Sequence, residues 1–186
     1  MQSMCLTNQF LIAMPGLADP YFYRSVAYIC AHNEDGAMGI VINHPLDLSM
    51  NDVFQQMSMS SDDALIRNMP VYQGGPVQSD RGFVLHYPIQ KWDHCIEISE
   101  DIGIATSRDI LAAIADGSGP EKTLVALGYA GWGAGQLEQE IKDNAWLNAP
   151  SDNCIIFNTP TEDRWAQAAA LAGVDLSKLS NIVGHA

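Results

Sequence analysis

The sequence predicts a single α+β domain over residues 1–186, with a mixed sheet and short helices that do not follow a regular βα alternation. Two runs, 25–31 and 37–43, are apolar on both faces and flank the polar loop His32-Asn-Glu-Asp-Gly36, the pattern of an interior hairpin. Helical spacing occurs only in short stretches that each begin at a capping residue. A chain of 186 residues, 47% hydrophobic and 17% charged, is long enough to fill one core and short for two.

In chain order, residues 1–9 read as a polar tail or edge, and 10–14 as a strand closed by the Pro15-Gly16 turn. Asp19-Pro20 opens another turn before the hairpin. Pro45 is expected to break the second hairpin strand, and Leu48, Val53, Phe54 and Met57 follow at helical spacing around the capping residue Ser49. Residues 58–69 read as a surface loop able to hold a helical turn, and 71–76 as a turn-rich junction. Strands are expected at 82–87, 95–98 and 102–105, then a helix over 108–115 with Asp109 in its first turn and Gly117 as its stop.

The C-terminal third opens with an apolar strand at 124–127, a glycine-rich turn Gly128-Tyr-Ala-Gly-Trp-Gly-Ala-Gly135, and a helix over 136–141. An apolar run at 154–158 fits a buried strand. Thr159-Pro-Thr-Glu162 then reads as a capping box opening a helix whose inward stripe is Trp165, Ala168, Ala169 and Ala172. The total is about six to eight strands and three or four helices.

No run of about 18 apolar residues exists, so no membrane-spanning helix is expected. The stretch 10–18 resembles a short signal-peptide core, but it contains Pro15 and Gly16 and no basic residue precedes it, the first being Arg24. Cys5, Cys30, Cys95 and Cys154 are scattered without a C-x-x-C pair, which suits free thiols in a reducing cytoplasm. The expected location is therefore cytoplasmic. With 22 acidic against 9 basic residues, the net charge of −13 opposes approach to nucleic-acid phosphates or an anionic lipid surface.

Strand, glycine-rich turn and helix is the order in which nucleotide sites are built, so residues 124–141 are tested first. The G-x-G-x-x-G fingerprint fails: counted from Gly131 and Gly133, its third glycine is Gln136. No Gly-Lys-Ser/Thr follows, and Glu138 and Glu140 already complement the positive end of the helix. The stretch reads as a structural junction. His32, His44, His86, His94 and His185 show no zinc-binding spacing, so no metal or cofactor is expected.

No G-x-S-x-G elbow occurs, and Cys30 and Cys154 lie in apolar runs where a thiol is buried and inert. Cys95, beside His94, is the thiol to assay. No catalytic residue is assigned. Asp19, Arg24, His32, Asn43, Arg81 and His86 lie at turns or strand ends, and together would make a polar pocket for a small acid, an amide or a partner protein. Trp132, Gly133 and Gln136 are candidate walls of that pocket.

Several long motifs resemble the YqgE/AlgH family of bacterial proteins. They are Met14-Pro-Gly-Leu-Ala-Asp-Pro-Tyr-Phe-Tyr-Arg-Ser25, His32-Asn-Glu-Asp-Gly-Ala-Met-Gly-Ile-Val-Ile-Asn43, Gly74-Gly-Pro76 with Asp80-Arg-Gly-Phe-Val-Leu-His86, the 128–141 stretch with Asn144-Ala-Trp146, Asp163-Arg-Trp165, and Gly184-His-Ala186. The resemblance implies a bifurcated sheet wrapped into a pseudo-barrel with helices outside, and no established enzymatic activity. It suggests a regulatory role, since one member is linked to regulation of exopolysaccharide genes. The expected function is that of a regulatory or adaptor protein binding a protein or small ligand. A small-molecule or nucleotide-binding enzyme is the alternative, and direct DNA binding ranks last because of the charge.

Overall fold

The computed structural model describes residues 4–17, 19–176 and 178. The Gly184-His-Ala186 motif and His185 lie outside the described residues, as does Ala18 of the first motif. The first half contains β1 (Gln9–Ala13), β2 (Val26–Asn33), β3 (Gly36–Val41), β4 (Pro45–Ser49), α1 (Met50–Gln56), α2 (Ala64–Arg67), β5 (Pro70–Gln73) and β6 (Val77–Tyr87). The second contains β7 (Cys95–Glu97), β8 (Gly103–Ala105), α3 (Arg108–Asp116), β9 (Lys122–Gly133), α4 (Gln136–Lys142), β10 (Trp146–Pro150), α5 (Asn153–Phe157) and α6 (Arg164–Leu171).

The sheet is organised by β9, which has more neighbours than a flat sheet allows. Along one edge it pairs with β6, antiparallel. Along the other it pairs first with β5, in parallel at Val125–Leu127, and then with β3, antiparallel at 130–133. The sheet forks between these two sets, at Gly128, whose φ is +75°. The remaining strands extend the two wings in the order β10-β1-β2-β3-β9-β6-β8-β7, with β4 on the outside of β5. The result is the expected α+β architecture, a mixed, bifurcated sheet curled into a half-barrel with short helices around it.

The fork explains the glycines. A Cβ on Gly74 would stand 2.3 Å from the Gly128 carbonyl oxygen, and one on Gly75 would stand 2.1 Å from the Tyr129 carbonyl carbon. Two backbones touch here, and side chains would hold them apart. Residues 128–133 are therefore strand rather than the expected turn, and only Ala134 and Gly135 turn the chain into α4.

Four other expectations are corrected. The second hairpin strand does end before Pro45, at Val41, but Leu48, expected in the helical run, lies in an edge strand that Pro45 begins; Pro45 pairs opposite Tyr72, and an edge position asks little of its missing donor. Residues 70–73 are its partner strand β5 rather than a junction. Residues 153–157 are helix, because Asp152 accepts from the Cys154 and Ile155 N–H groups and caps the run. The Thr159–Glu162 capping box does not form: Thr159 Oγ1 faces Gln167, and a 3-10 turn over Thr161–Asp163 leads into α6. The strand β10 was not anticipated.

The hairpin β2–β3 has the expected two-faced character. Val26, Tyr28 and Cys30 pack inside the curl with Phe83, Leu85 and Ile104, whereas Ala27 and Ile29 pack outside with Trp132, Trp146 and Leu137 of α4. A third cluster holds α1 and α3 against Val84 and Val125. In α6, Ala168 and Ala169 are buried and Trp165 half-buried, as the stripe predicts. No helix among the described residues is long and apolar enough to cross a membrane.

Candidate functional site

The curl leaves a groove of about 530 Å³ between the two wings. One wall is Cys30 and Ala31 of β2, the other Cys95 and Ile96 of β7, and Met38, Phe83, Ile104 and Tyr129 lie between them. The floor is aromatic and aliphatic; Tyr129 meets Phe83 edge-on at 5.6 Å. Cys30 is fully enclosed, burial pushes its thiol well up, and it is a packing residue.

The polar equipment sits at the rim. An irregularity in β6 between Val77 and Gly82 turns Arg81 out of the ladder and over the groove. Its guanidinium lies 5.8 Å from the Phe83 ring centre, with long contacts to Gln78 Oε1 (3.4 Å) and Thr106 Oγ1 (3.3 Å). Such contacts hold the fork-shaped cation loosely and leave donors for an incoming acceptor. Asp93 and His94 complete the rim.

The other expected site residues are not gathered around Arg81. Asp19, Arg24 and Asn43 meet at the start of β2. Asp19 caps its own turn by accepting from the Tyr21 N–H at 2.8 Å, and Asn43 accepts from Val26 N–H (2.9 Å) and donates to the Arg24 carbonyl (2.8 Å). The Arg24 guanidinium is sandwiched between Tyr23 and Trp165 at 5.2 and 5.1 Å from the ring centres. These contacts fix a loop. Tyr21 and Tyr23 are exposed there, while Phe22 packs against both Trp132 and Trp146, which also meet each other.

His32 stands at the other end of β2, about 20 Å from Val26 at the usual strand rise. Its Nδ1 accepts from the Leu6 N–H (3.0 Å), so Nε2 carries the proton and donates it to Glu138 of α4. Trp132 is buried two strands across from it, both opposite Ala37, and the Gln136 side chain accepts from the Gly133 N–H at 2.9 Å, closing the start of α4. His86 is fully buried under Trp92, with Nδ1 at 3.2 Å from the Pro88 carbonyl. Burial holds its pKa below the ordinary histidine value. It is a core residue rather than part of a polar pocket.

One contact has the look of catalytic machinery. Ser25 Oγ is 3.3 Å from His44 Nε2. The same nitrogen is 3.1 Å from the Tyr23 carbonyl, which can only accept, so Nε2 bears the proton and is no base toward the serine. Among the described residues no three His, Cys, Asp or Glu side chains are grouped to hold a metal ion.

The groove itself was missed by sequence reasoning except for Arg81. Its one local signal was Ile96, a large apolar residue in a polar stretch that the structure leaves 63% exposed.

A family profile described as AlgH-like matches residues 10–177. The chain belongs to the AlgH-like family. A UPF0301 protein of Thioalkalivibrio sulfidiphilus is 60% identical over 180 residues, covering 97% of this chain and 96% of that protein. Another, from Nitrosococcus oceani, is 53% identical over the full length of both. The solution structure of the AlgH protein from Pseudomonas aeruginosa superposes with a TM-score of 0.80 at 49% identity, over 97% of this chain and 96% of that one. A crystal structure of a Corynebacterium diphtheriae protein, at 20% identity, shares the fold with a TM-score of 0.71 over 90% of this chain and 87% of that one.

Proposed function

We propose that this AlgH-like protein acts by binding, as a regulatory or adaptor protein of the cytoplasm, and that the groove between the wings is where it binds. The observation that carries this reading is the groove's make-up: an apolar floor, one loosely held guanidinium, and a mouth open to solvent. An apolar floor gives affinity and a few rim groups give orientation, which is the composition of a binding site. A small-molecule or nucleotide-binding enzyme remains the alternative. Direct DNA binding is disfavoured by the net charge of −13.

A thermal-shift panel of small carboxylates, amides and short peptides tests the reading. A ligand at 100 times its Kd adds about 2.7 kcal/mol to folding stability, a shift easily seen. Ala31 is exposed on the groove wall, so Ala31→Trp fills the mouth without touching the core. Stabilisation by a panel member that Ala31→Trp abolishes supports binding in the groove. Hits indifferent to Ala31→Trp would sink it, and turnover of a hit would turn the conclusion to the enzyme.

A further inference from the structure

The free edge of β7 borders the groove, and its hydrogen-bonding pattern specifies what fits there. In the β7–β8 ladder Cys95 lies opposite Ala105, Ile96 opposite Ile104 and Glu97 opposite Gly103. Bonds run from the Thr106 N–H to the His94 carbonyl and from the Ile98 N–H to the Ile102 carbonyl. By the alternation of an antiparallel ladder, residues 94, 96 and 98 direct their backbone groups toward β8. Cys95 and Glu97 therefore turn theirs outward, away from β8, and among the described residues no strand pairs with β7 on that side. Two donor–acceptor pairs spaced by two residues match the repeat of an extended chain.

The other sheet edges are blunted in the ways natural edges are. The outer strand β4 opens on Pro45 and exposes Asp47, while β10 ends in Pro150 and has α6 and α4 packed against it. No proline interrupts β7, and its central side chain, Ile96, is 63% exposed at the groove wall. The strand is only three residues long and carries Glu97, but its exposed apolar centre and outward backbone groups leave room for one added strand. The surface around it carries Asp93, Glu97, Glu100 and Asp101, all exposed, against two cations, Lys91 beside β7 and Arg81 at the groove rim.

We propose that the partner of this groove is an extended, basic peptide segment that adds as a strand to the outer edge of β7 and seats an apolar side chain beside Ile96. This rests on the binding reading above and names its partner class. The outward N–H and C=O groups of Cys95 and Glu97 supply the pairing, the groove accepts alternate side chains, and the acidic surroundings select lysine and arginine at the positions between. A strand so placed lies along the outer side of β7 at the groove wall.

Fluorescence anisotropy with a labelled alternating Lys-Val heptapeptide tests the proposal on the full chain. Binding is expected at low salt, and is expected to weaken about tenfold or more when the backbone nitrogens of the peptide are methylated throughout, since methylation removes the donors in either strand orientation while leaving charge and side chains. Glu97→Pro removes an outward N–H that β8 does not use, and is expected to weaken binding by about tenfold relative to Glu97→Gln. Equal binding of the methylated peptide overturns the proposal, because it needs no backbone contact. Failure of the heptapeptide to bind, with panel hits still abolished by Ala31→Trp, overturns strand addition and leaves the groove-binding reading standing. A self-associated form that Glu97→Pro dissolves, in the absence of peptide binding, overturns it in favour of pairing between two copies.

Discussion

The Gly74 N–H donates to the Leu127 carbonyl at 2.8 Å, and the Gly74 carbonyl accepts from Val41 N–H at 2.9 Å. Gly74 thus ties β9 to the end of β3 where β9 exchanges one partner for another. A Cβ at this position would fall 2.3 Å from the Gly128 oxygen, which is backbone and has nowhere to move. Gly74→Ala is expected to cost about 3 kcal/mol or more, as overpacking against backbone does. Gly82→Ala meets nothing within 4 Å and is expected to change stability by less than about 1 kcal/mol. Urea midpoints of the two variants decide it: equal midpoints would remove the fork's claim on glycine.

The His32–Glu138 pair links the end of β2 to α4, and it carries a pH dependence of known sign. The Glu138 carboxyl is held below its usual value of 4.5, first by its own backbone N–H at the start of the helix and then by the His32 N–H. A depressed acid stabilises the fold above the unfolded value, and that contribution is lost as pH falls through the folded one. The stability gap between the wild type and Glu138→Gln is therefore expected to be constant near neutrality and to shrink below about pH 4.5. Chemical denaturation of both proteins from pH 7 to pH 3 reads this difference. A gap that widens on acidification contradicts the assignment.

What was legible in the sequence is what local chemistry decides. The hairpin β2–β3 is apolar on both faces because it is buried on both, and α3 stops at Gly117, whose φ is +86°, as an αL cap requires. The 128–133 stretch was read as a turn because its glycines are as common in turns as at close crossings, and the crossing strand lies some fifty residues away at Gly74-Gly75. Residues 154–158 read as a strand because four apolar residues in a row fit either element, and the deciding signal is the Asp152 cap. The groove was hidden for a related reason. Cys30, Met38, Arg81, Ile96, Ile104 and Tyr129 come from six elements, and only the curl of the sheet brings them together.

Arg164 tests the seam between α6 and the sheet. It is buried, donates through Nε to the Thr159 carbonyl at 3.0 Å and through Nη1 to the Ile42 carbonyl, and lies 5.1 Å from the centre of the Tyr72 ring. Arg164→Met keeps much of the volume but strands both carbonyls, and is expected to cost about 3 kcal/mol. Arg164→Lys is expected to recover little, since an ammonium cannot reproduce two directed bonds and a stacked plane. Full recovery by lysine would show that charge alone matters there.

The cysteines give the last prediction, because the fold ranks them differently from the sequence. Cys154 was expected to be buried in a strand, yet it is exposed on α5. Cys95 is half-covered, its sulfur 3.4 Å from the Trp92 N–H, which makes it less available than its place beside His94 suggested. Cys5 is exposed, and the Thr7 hydroxyl and backbone hold its thiol below the ordinary value, so more of it is thiolate at neutral pH. Cys30 is enclosed and pushed the other way. Timed alkylation with iodoacetamide, followed by peptide mass analysis, is expected to label Cys5 first and Cys30 only when the protein unfolds. Early labelling of Cys30 would mean that the groove wall at β2 opens in the native protein, since Cys30 is buried in the closed fold.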